Sequence, residues 1–400
     1  MTQTSPIGYL VPEFPNQTHA FFWRELLAIE ESGVPVTVFS TRRPAPGACP
    51  HAFRDAARAR TQYLFPPSSG ALGFVVARPG RLVRAMRYVL GLDETPLPQR
   101  LKLLALIASA ADLVRAAQAG RIRHVHIHSC ANAAHLGALA HILGDLPYSL
   151  TLHGDLPVYG TDHKAKMARA SFVSAVTKPL QRSLEQEVGH DQPYPVIWMG
   201  VDTDRFKPDP ARRAQVSDGP LEVVSVARLT FAKGHRFFLR AMARLRDEGI
   251  DIRFRMAGAG PEEDGIRAEI AELGLEDRAI LLGPIGEDDV LQLLQSADAL
   301  ALTSIMQGEA APVAVMEAMA CSLPPVCSII GGTPDMIEDG VDGFLVPQED
   351  VDAIAAATRK LATDPDLRHR MGEAARATAE AKFDHRRNAL ALYRMIRPSP

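Results

Sequence analysis

The sequence predicts an α/β protein of two doubly wound domains. Three observations carry that expectation: two series of short apolar runs alternating with helical segments, a charged break between the series, and a length of 400 residues, too long for one ordinary core. The first series has expected strands at Ile7 to Val11, Val34 to Ser40, Gln62 to Phe65, His124 to His128, Tyr148 to His153, Phe172 to Ala175 and Pro195 to Met199. After the first strand, the loop Pro12 to Thr18 leads into an amphipathic helix over His19 to Ser32, with Thr18 as its expected N-cap. Gly200 to Gly219 breaks the alternation with Pro208, Pro210 and many charges, and reads as the linker. The second series has expected strands at Glu222 to Ala227, Arg253 to Ala257, Ala279 to Leu282, Ala299 to Leu302, Pro325 to Ser328 and Gly343 to Val346. Helices follow from Val351 to Lys382, and Asp384 to Ile396 is a short amphipathic helix past the last strand. Strands alternating with helices in this way form mostly parallel sheets covered on both faces, which bind ligands at the strands' carboxyl ends. The expected domains are residues 1–200 and 201–383, facing across a substrate cleft.

Composition narrows the class. A hydrophobic content of 46%, a charged content of 23% and a net charge of −3 leave no overall basic field to hold nucleic acid. Met1 to Pro6 lacks the basic and apolar regions of a signal peptide, and no apolar run reaches the roughly 18 residues of a membrane span, so the expected location is the cytoplasm. Cys49, Cys130, Cys321 and Cys327 make no close metal-type pair and read as reduced packing residues. Arg78, Arg81, Arg84 and Arg87 recur every three residues among Leu82, Val83, Met86, Tyr88, Val89 and Leu90. Such a helix either lies on an anionic membrane surface or covers the sheet with a solvated basic face; the second is the commoner outcome.

The chemistry is expected in Thr303 to Val326, around Glu309 and Glu317. Glu309 lies in the loop between a buried strand and a helix starting at Pro312, whose free Val313 and Ala314 amides make an anion site. Glu317 is the one charge among Val, Ala and Met on that helix and needs a partner. The plainer alternative pairs Glu317 with an arginine and leaves Glu309 a solvated loop charge. Arg228 and Lys233, in the loop after the second domain's first strand, suit a diphosphate. Ala257-Gly-Ala-Gly-Pro-Glu-Glu263 fails as a dinucleotide fingerprint at its third glycine position, which disfavours a nicotinamide enzyme. His124, His126 and His128 share one strand face, with His153 ending another strand. A zinc site competes there with histidines simply bonded to their neighbours, the favoured reading. His153-Gly-Asp155 suits contact with a polar substrate, or a turn in which Asp155 satisfies backbone donors.

Five motifs in order, Gly200-Val-Asp with Phe206, Ala227-Arg-Leu with Lys233-Gly234, Gly258 with Gly260-Pro261, His153-Gly154, and Glu309 with Glu317-Ala-Met-Ala, resemble the family 4 glycosyltransferases, retaining enzymes of the GT-B fold. The resemblance implies that Arg228 and Lys233 hold a donor diphosphate and Glu317 the nucleotide ribose. It sets Glu309 by the donor sugar, the backbone after it, at Ala311 and Val313, by phosphate and sugar, Gly258 and Gly260 in the donor site, and Gly283 to Ile285 beside the base. His153 approaches the sugar from the first domain, and residues 384–400 return to that domain. The implied donor is a nucleoside diphosphate sugar such as a UDP-sugar, with no cofactor, no metal, and a saccharide or lipid-linked saccharide acceptor. Ala310, Ser322 to Pro325, Met199 and the glycine-free first loop depart from the family pattern. Phe14-Pro15 and the aromatic-rich helix after it look like the exopolysaccharide-building branch. The competing functions are a sugar-nucleotide epimerase, a noncatalytic saccharide-binding or assembly subunit, and a metal-dependent transferase using Asp202-Thr-Asp204.

Overall fold

The computed structural model describes residues 5–190, 192–210, 219–306 and 309–396. Its contacts divide into two units, one ending at Trp198 and regaining the chain from Arg386, the other running from Met199 to His385.

The first unit's strands are β1 (Ile7–Leu10), β2 (Val36–Ser40), β3 (Thr61–Tyr63), β4 (Val125–Ile127), β5 (Tyr148–Leu152) and β6 (Val173–Ala175), ordered β3-β2-β1-β4-β5-β6 and all parallel. The expected seventh strand, Pro195 to Met199, is reduced to one bridge between Ala175 and Val196, because only that register position meets β6. The first helix is Ala20–Glu31, and its N-cap is His19, not Thr18, with no side-chain cap bond. On the sheet, Ile7, Tyr9, Val38 and the helix residues Phe22, Leu26 and Ile29 form one core that also takes in Ala389, Leu392 and Ile396. The last helix, His385–Ile396, thus buries its apolar stripe in the first unit although it follows the second in sequence.

The second unit repeats the plan with β7 (Leu221–Val226), β8 (Ile252–Ala257), β9 (Ala279–Gly283), β10 (Ala299–Leu302), β11 (Pro325–Ser328) and β12 (Phe344–Val346), ordered β12-β11-β10-β7-β8-β9 and again parallel. β10 and β11 are buried along their whole length; β10 accordingly reads in sequence as an unbroken apolar run, while β11 ends on buried Ser328. The expected linker Gly200 to Gly219 is shorter than its composition suggests. Val201 bridges to Asp384 and Phe206 is fully buried, so the chain is already part of the second unit there; residues 211–218 lie outside the described residues. Arg376, on the helix Pro365–Lys382, donates to the carbonyls of Thr203, Phe206 and Ala320 at 2.9, 2.7 and 2.7 Å. The Ala320 carbonyl ends the helix Val313–Ala320, so a cation satisfies an acceptor the helix cannot and stabilises its negative end.

Candidate functional site

Where strand order reverses in a doubly wound sheet, the loops leaving the carboxyl ends diverge and open a crevice. In the second sheet the reversal falls between β7 and β10, so the loops after Val226 and Leu302 are neighbours. They are laced together: Ile305 N–H donates to the Ala232 carbonyl at 2.8 Å, and Thr303 Oγ1 to the Gly234 carbonyl at 3.0 Å. Lys233 forms an ion pair with Glu309 Oε1, which also accepts from Ser304 Oγ at 2.7 Å. The Glu309 side chain is 8% exposed, so it is not the solvated loop charge of the plainer alternative. Arg228, on the same loop as Lys233, is exposed, and its side chain makes no hydrogen bond or ion pair among the described residues. Ser304 lay inside the stretch singled out from sequence, yet nothing about its type or spacing marked it; only the fold reveals it as the partner of Glu309.

The helix Val313–Ala320 starts one residue later than expected, with Pro312 as N-cap at φ −66° and ψ 115°. Pro312 is outside the helix because its ψ is extended, while its fixed φ still feeds the first turn. Ala310 and Ala311 before it are buried, whereas Val313 and Ala314 are half-buried and have no preceding turn to accept their amide protons. Glu317, 7% exposed, lies more than a turn into the helix, and its charge adds to burial in pushing the Cys321 thiol up to about 12. Cys49, Cys130 and Cys327 are likewise free and buried.

Two further loops press on this region from the unit's other strands. A Cβ on Gly258 would sit 1.9 Å from the Ala227 carbonyl oxygen, and one on Gly260 would sit 2.2 Å from that of Leu229, so only glycine lets the loop after β8 close on the Arg228 loop. Gly258 N–H donates to the Gly283 carbonyl at 2.9 Å, which ties in the turn carrying half-buried Ile285. Gly331, not singled out from sequence, has φ +52° and would place a Cβ 1.7 Å from the Glu309 carbonyl oxygen, which accepts from Gly332 N–H at 3.1 Å. The loop after β11 thereby fixes the backbone at Glu309.

In the first unit the reversal lies between β1 and β4, and a histidine cluster occupies their carboxyl ends. His153 Nε2 is 3.1 Å from His128 Nδ1, Tyr159 Oη accepts from the His153 amide at 2.8 Å, and His153 Nδ1 is buried without a partner among the described residues. Burial holds His153 well below the usual histidine range, helped by the neighbouring His128 and His19 rings. His19 is pushed down to about 4 by burial and stacks on Phe14 with ring centroids 5.9 Å apart. Glu25 was missed from sequence because it reads as an ordinary helix charge. Its Oε1 accepts from Tyr9 Oη at 2.7 Å and lies 3.2 Å from His128 Nε2.

His126 on β4 and His124 just before it face hydroxyls. His124 Nε2 and His126 Nδ1 each lie 2.7 Å from Ser149 Oγ, and His126 Nε2 lies 2.8 Å from Thr151 Oγ1. Neighbours on β5 thus take up the ring nitrogens that a zinc ion would need. Asp155 opens a short 3-10 turn, Leu156–Tyr159, without capping it by its side chain. Asp202 Oδ1 accepts from the amides of Asp204 and Arg205 at 3.1 and 3.2 Å, a turn rather than the end of an apolar strand.

Two family models match in succession: Glycosyltransferase Family 4 over residues 23–205 and Glycosyl transferases group 1 over residues 208–378. The chain is 38% identical to the putative colanic acid biosynthesis glycosyltransferase WcaL of Escherichia coli over 173 residues, 42% of each chain, so it spans less than half of that relative's length. It is 29% identical to the GDP-mannose-dependent alpha-(1-6)-phosphatidylinositol monomannoside mannosyltransferase of Mycolicibacterium smegmatis, over 69% of this chain and 76% of the other. Among solved structures, HepE of Anabaena in complex with UDP superposes with a TM-score of 0.74 at 19% identity, covering 98% of this chain and 99% of that one; the likeness is one of fold.

Proposed function

Because the chain belongs to the family 4 glycosyltransferases and has their GT-B fold, we propose that it moves a sugar, with retention and without a metal, from a nucleoside diphosphate sugar to a saccharide or lipid-linked saccharide acceptor in cell-surface polysaccharide synthesis. The observation that carries this reading is the meeting of the Arg228–Lys233 loop with the Glu309 loop beside the first turn of the helix Val313–Ala320. When the donor's glycosidic bond breaks, negative charge leaves with the diphosphate. Preorganised cations and helix amides stabilise that developing charge more than they stabilise the intact donor.

On this reading Arg228 takes a phosphate bidentately. Lys233 exchanges its Glu309 partner for phosphate, which frees the carboxylate for the sugar's hydroxyls. The amides at Ala311 and Val313 and the clasped loop at Gly258 and Gly260 shape the diphosphate site, Ile285 borders the base, and Glu317 holds the ribose. His153, neutral at physiological pH because of its burial, adds no positive charge beside a sugar that becomes electron-poor in the transition state. That neutrality suits a ring that orients the sugar, with no protein nucleophile required. The colanic acid relative supports a polysaccharide product. UDP in the HepE complex supports a uridine donor, whereas the mannosyltransferase is GDP-mannose-dependent by name; a thermal-shift comparison of UDP with GDP decides between them.

Donor consumption with and without an acceptor oligosaccharide tests the proposal. Acceptor-dependent transfer with the anomeric configuration kept supports it; isomerisation without acceptor marks an epimerase, and no turnover a binding subunit. Transfer is expected to survive EDTA, since the diphosphate's charge is met by Arg228 and Lys233. Loss on chelation with recovery on adding Mn2+ would favour the metal-dependent alternative.

The two glutamates should separate kinetically. Glu317 grips the ribose in ground and transition states alike, so Glu317→Gln mainly raises the donor KM. Glu309 acts where the reaction changes the sugar, so Glu309→Gln mainly lowers kcat. A hydrogen bond to a charged group is worth about 1.5–3 kcal/mol, or roughly 10- to 150-fold in each case. Wild-type kcat in Glu309→Gln would remove that carboxylate from the reaction.

A further inference from the structure

Helices Ser69–Val76, Pro79–Leu90 and Leu97–Leu103 form an outer layer on the first unit. The helix Leu106–Ala119 packs beside Asn132–Gly144, which itself lies on β4 and β5. Ser69–Val76 rests on the former and Pro79–Leu90 on the latter, while Pro79–Leu90 touches both of its outer neighbours. Its main support is thus another helix, where the sequence suggested a helix covering the sheet.

This layer buries one narrow apolar face and leaves a second apolar face outward. Ala71, Val75, Ala85 and Val89 are buried, whereas Leu72 and Val76, then Val83, Met86 and Leu90, then Leu97 and Leu101 are between 39% and 72% exposed. The spacing of Val83, Met86 and Leu90 makes one stripe along its helix, and the pairs on the flanking helices repeat every four residues. A single exposed leucine needs no explanation, but seven large apolar residues on three adjoining helices mark an interaction surface.

The charges say what covers it. From Ser69 to Leu103 there are five arginines and one lysine against two acids, Asp93 and Glu94, both in the turn before the third helix, where Glu94 accepts from the Asp162 amide at 2.7 Å. Arg78 folds back on Phe74, donating to its carbonyl at 3.1 Å, and Arg81 pairs with Asp145. Arg84 and Arg87, beside the stripe, are exposed and make no side-chain hydrogen bond or ion pair among the described residues; Lys102 is exposed on the third helix. A second copy docking through a two-fold axis would bring the same arginine-rich helix face of both copies together. An anionic bilayer meets both halves of the pattern, taking the apolar stripe at the acyl boundary and the guanidiniums at lipid phosphates.

We infer that this three-helix face docks the protein on a membrane surface rich in anionic lipid. Among the described residues no helix is long and apolar enough to cross a membrane, so the attachment is peripheral. The inference goes beyond the transfer reaction and does not depend on which sugar or acceptor is used.

Cosedimentation of the full chain with vesicles tests it, using phosphatidylcholine alone or with about 30 mol% phosphatidylglycerol. Binding is expected to the phosphatidylglycerol vesicles, to be much weaker on phosphatidylcholine alone, and to fall as salt rises from about 0.05 to 0.5 M. A basic residue at such a surface is worth about fivefold in partitioning, so Arg84→Gln with Arg87→Gln should bind roughly 30-fold more weakly. Val83→Asp with Met86→Asp should abolish pelleting even at low salt, with an unchanged thermal melt because both positions are exposed. Wild-type protein left in the supernatant with anionic vesicles at low salt overturns the inference. So does equal binding to both vesicle types, undiminished binding of the variants, or a solution dimer that Met86→Asp dissociates.

Discussion

Lys233→Ala is expected to lower donor kcat/KM by about 10²–10³-fold, the usual cost of removing one group that stabilises developing negative charge. The structure adds a second consequence, because Lys233 is also the ion-pair partner of Glu309, whose side chain is 8% exposed. Removing the lysine leaves that carboxylate with Ser304 as its remaining side-chain hydrogen bond partner among the described residues. Breaking a buried pair from one side costs about 3 kcal/mol, less here because the lysine side chain is 18% exposed. Thermal melts should therefore fall along with activity. Lys233→Ala with Glu309→Gln should regain much of the stability, since no unpaired charge remains, while activity stays low. Nucleoside diphosphate binding should weaken far more than nucleoside binding in both Lys233→Ala and Arg228→Ala. A Lys233→Ala enzyme that melts early but keeps its kcat/KM would make Lys233 a structural partner of Glu309 and nothing more.

Mild acid should unfold the first unit before the second. Burial lowers His19, His124 and His135 to about 4 and holds His126, His153 and His163 below the usual range as well; in the second unit the corresponding ring is His235, at about 4. The unfolded chain takes up these protons near pH 6.5 and the folded one does not, so stability is full above about 6.5 and is lost as pH falls toward 4. At pH 5 each ring lowered to about 4 costs about 2 kcal/mol, so a few of them rival the whole stability of a domain. Monitored by tryptophan fluorescence, since Trp23 and Trp198 both belong to the first unit, unfolding should begin between about pH 6 and 5, before most carboxylates titrate. Replacing buried His126 by Gln, which keeps hydrogen bonds to Ser149 and Thr151, should shift that transition to lower pH. A first unit that stays folded to pH 4 would mean these rings accept protons without opening the core.

The alternation of apolar runs with helical segments was legible residue by residue. A strand such as Ala299–Leu302, buried at every position, needs no distant information to read as apolar, and it was placed to the residue. Boundaries slipped where a short edge contact decides them: Pro195 to Met199 has the composition of a strand but meets β6 at a single bridge. The N-cap moved from Thr18 to His19, where the His19 amide closes a turn on the Asn16 carbonyl at 3.1 Å, and the loop before it is also held from the sheet. Phe14 N–H donates to Ser40 Oγ at 2.9 Å, and Tyr63 Oη donates to the Phe14 carbonyl at 3.2 Å.

By itself the sequence determined two β-α-β series and the loops that bear the charged and glycine-rich motifs, because periodicity and turn chemistry are local properties of the chain. Only the tertiary structure decided which of those loops meet. Strand order is set by which apolar faces pack together, and it puts β7 beside β10, so Lys233 and Glu309 come into contact across 76 residues of chain. The same packing returns the helix His385–Ile396 to the first unit's core, where Leu392 and Ile396 join Ile7 and Tyr9. It also decided that His126 lies between Ser149 and Thr151 on the neighbouring strand and that Ser304 reaches Glu309. A buried polar atom takes whichever partner the fold places within about 3 Å, and no pattern of residue spacing within one segment records which partner that is.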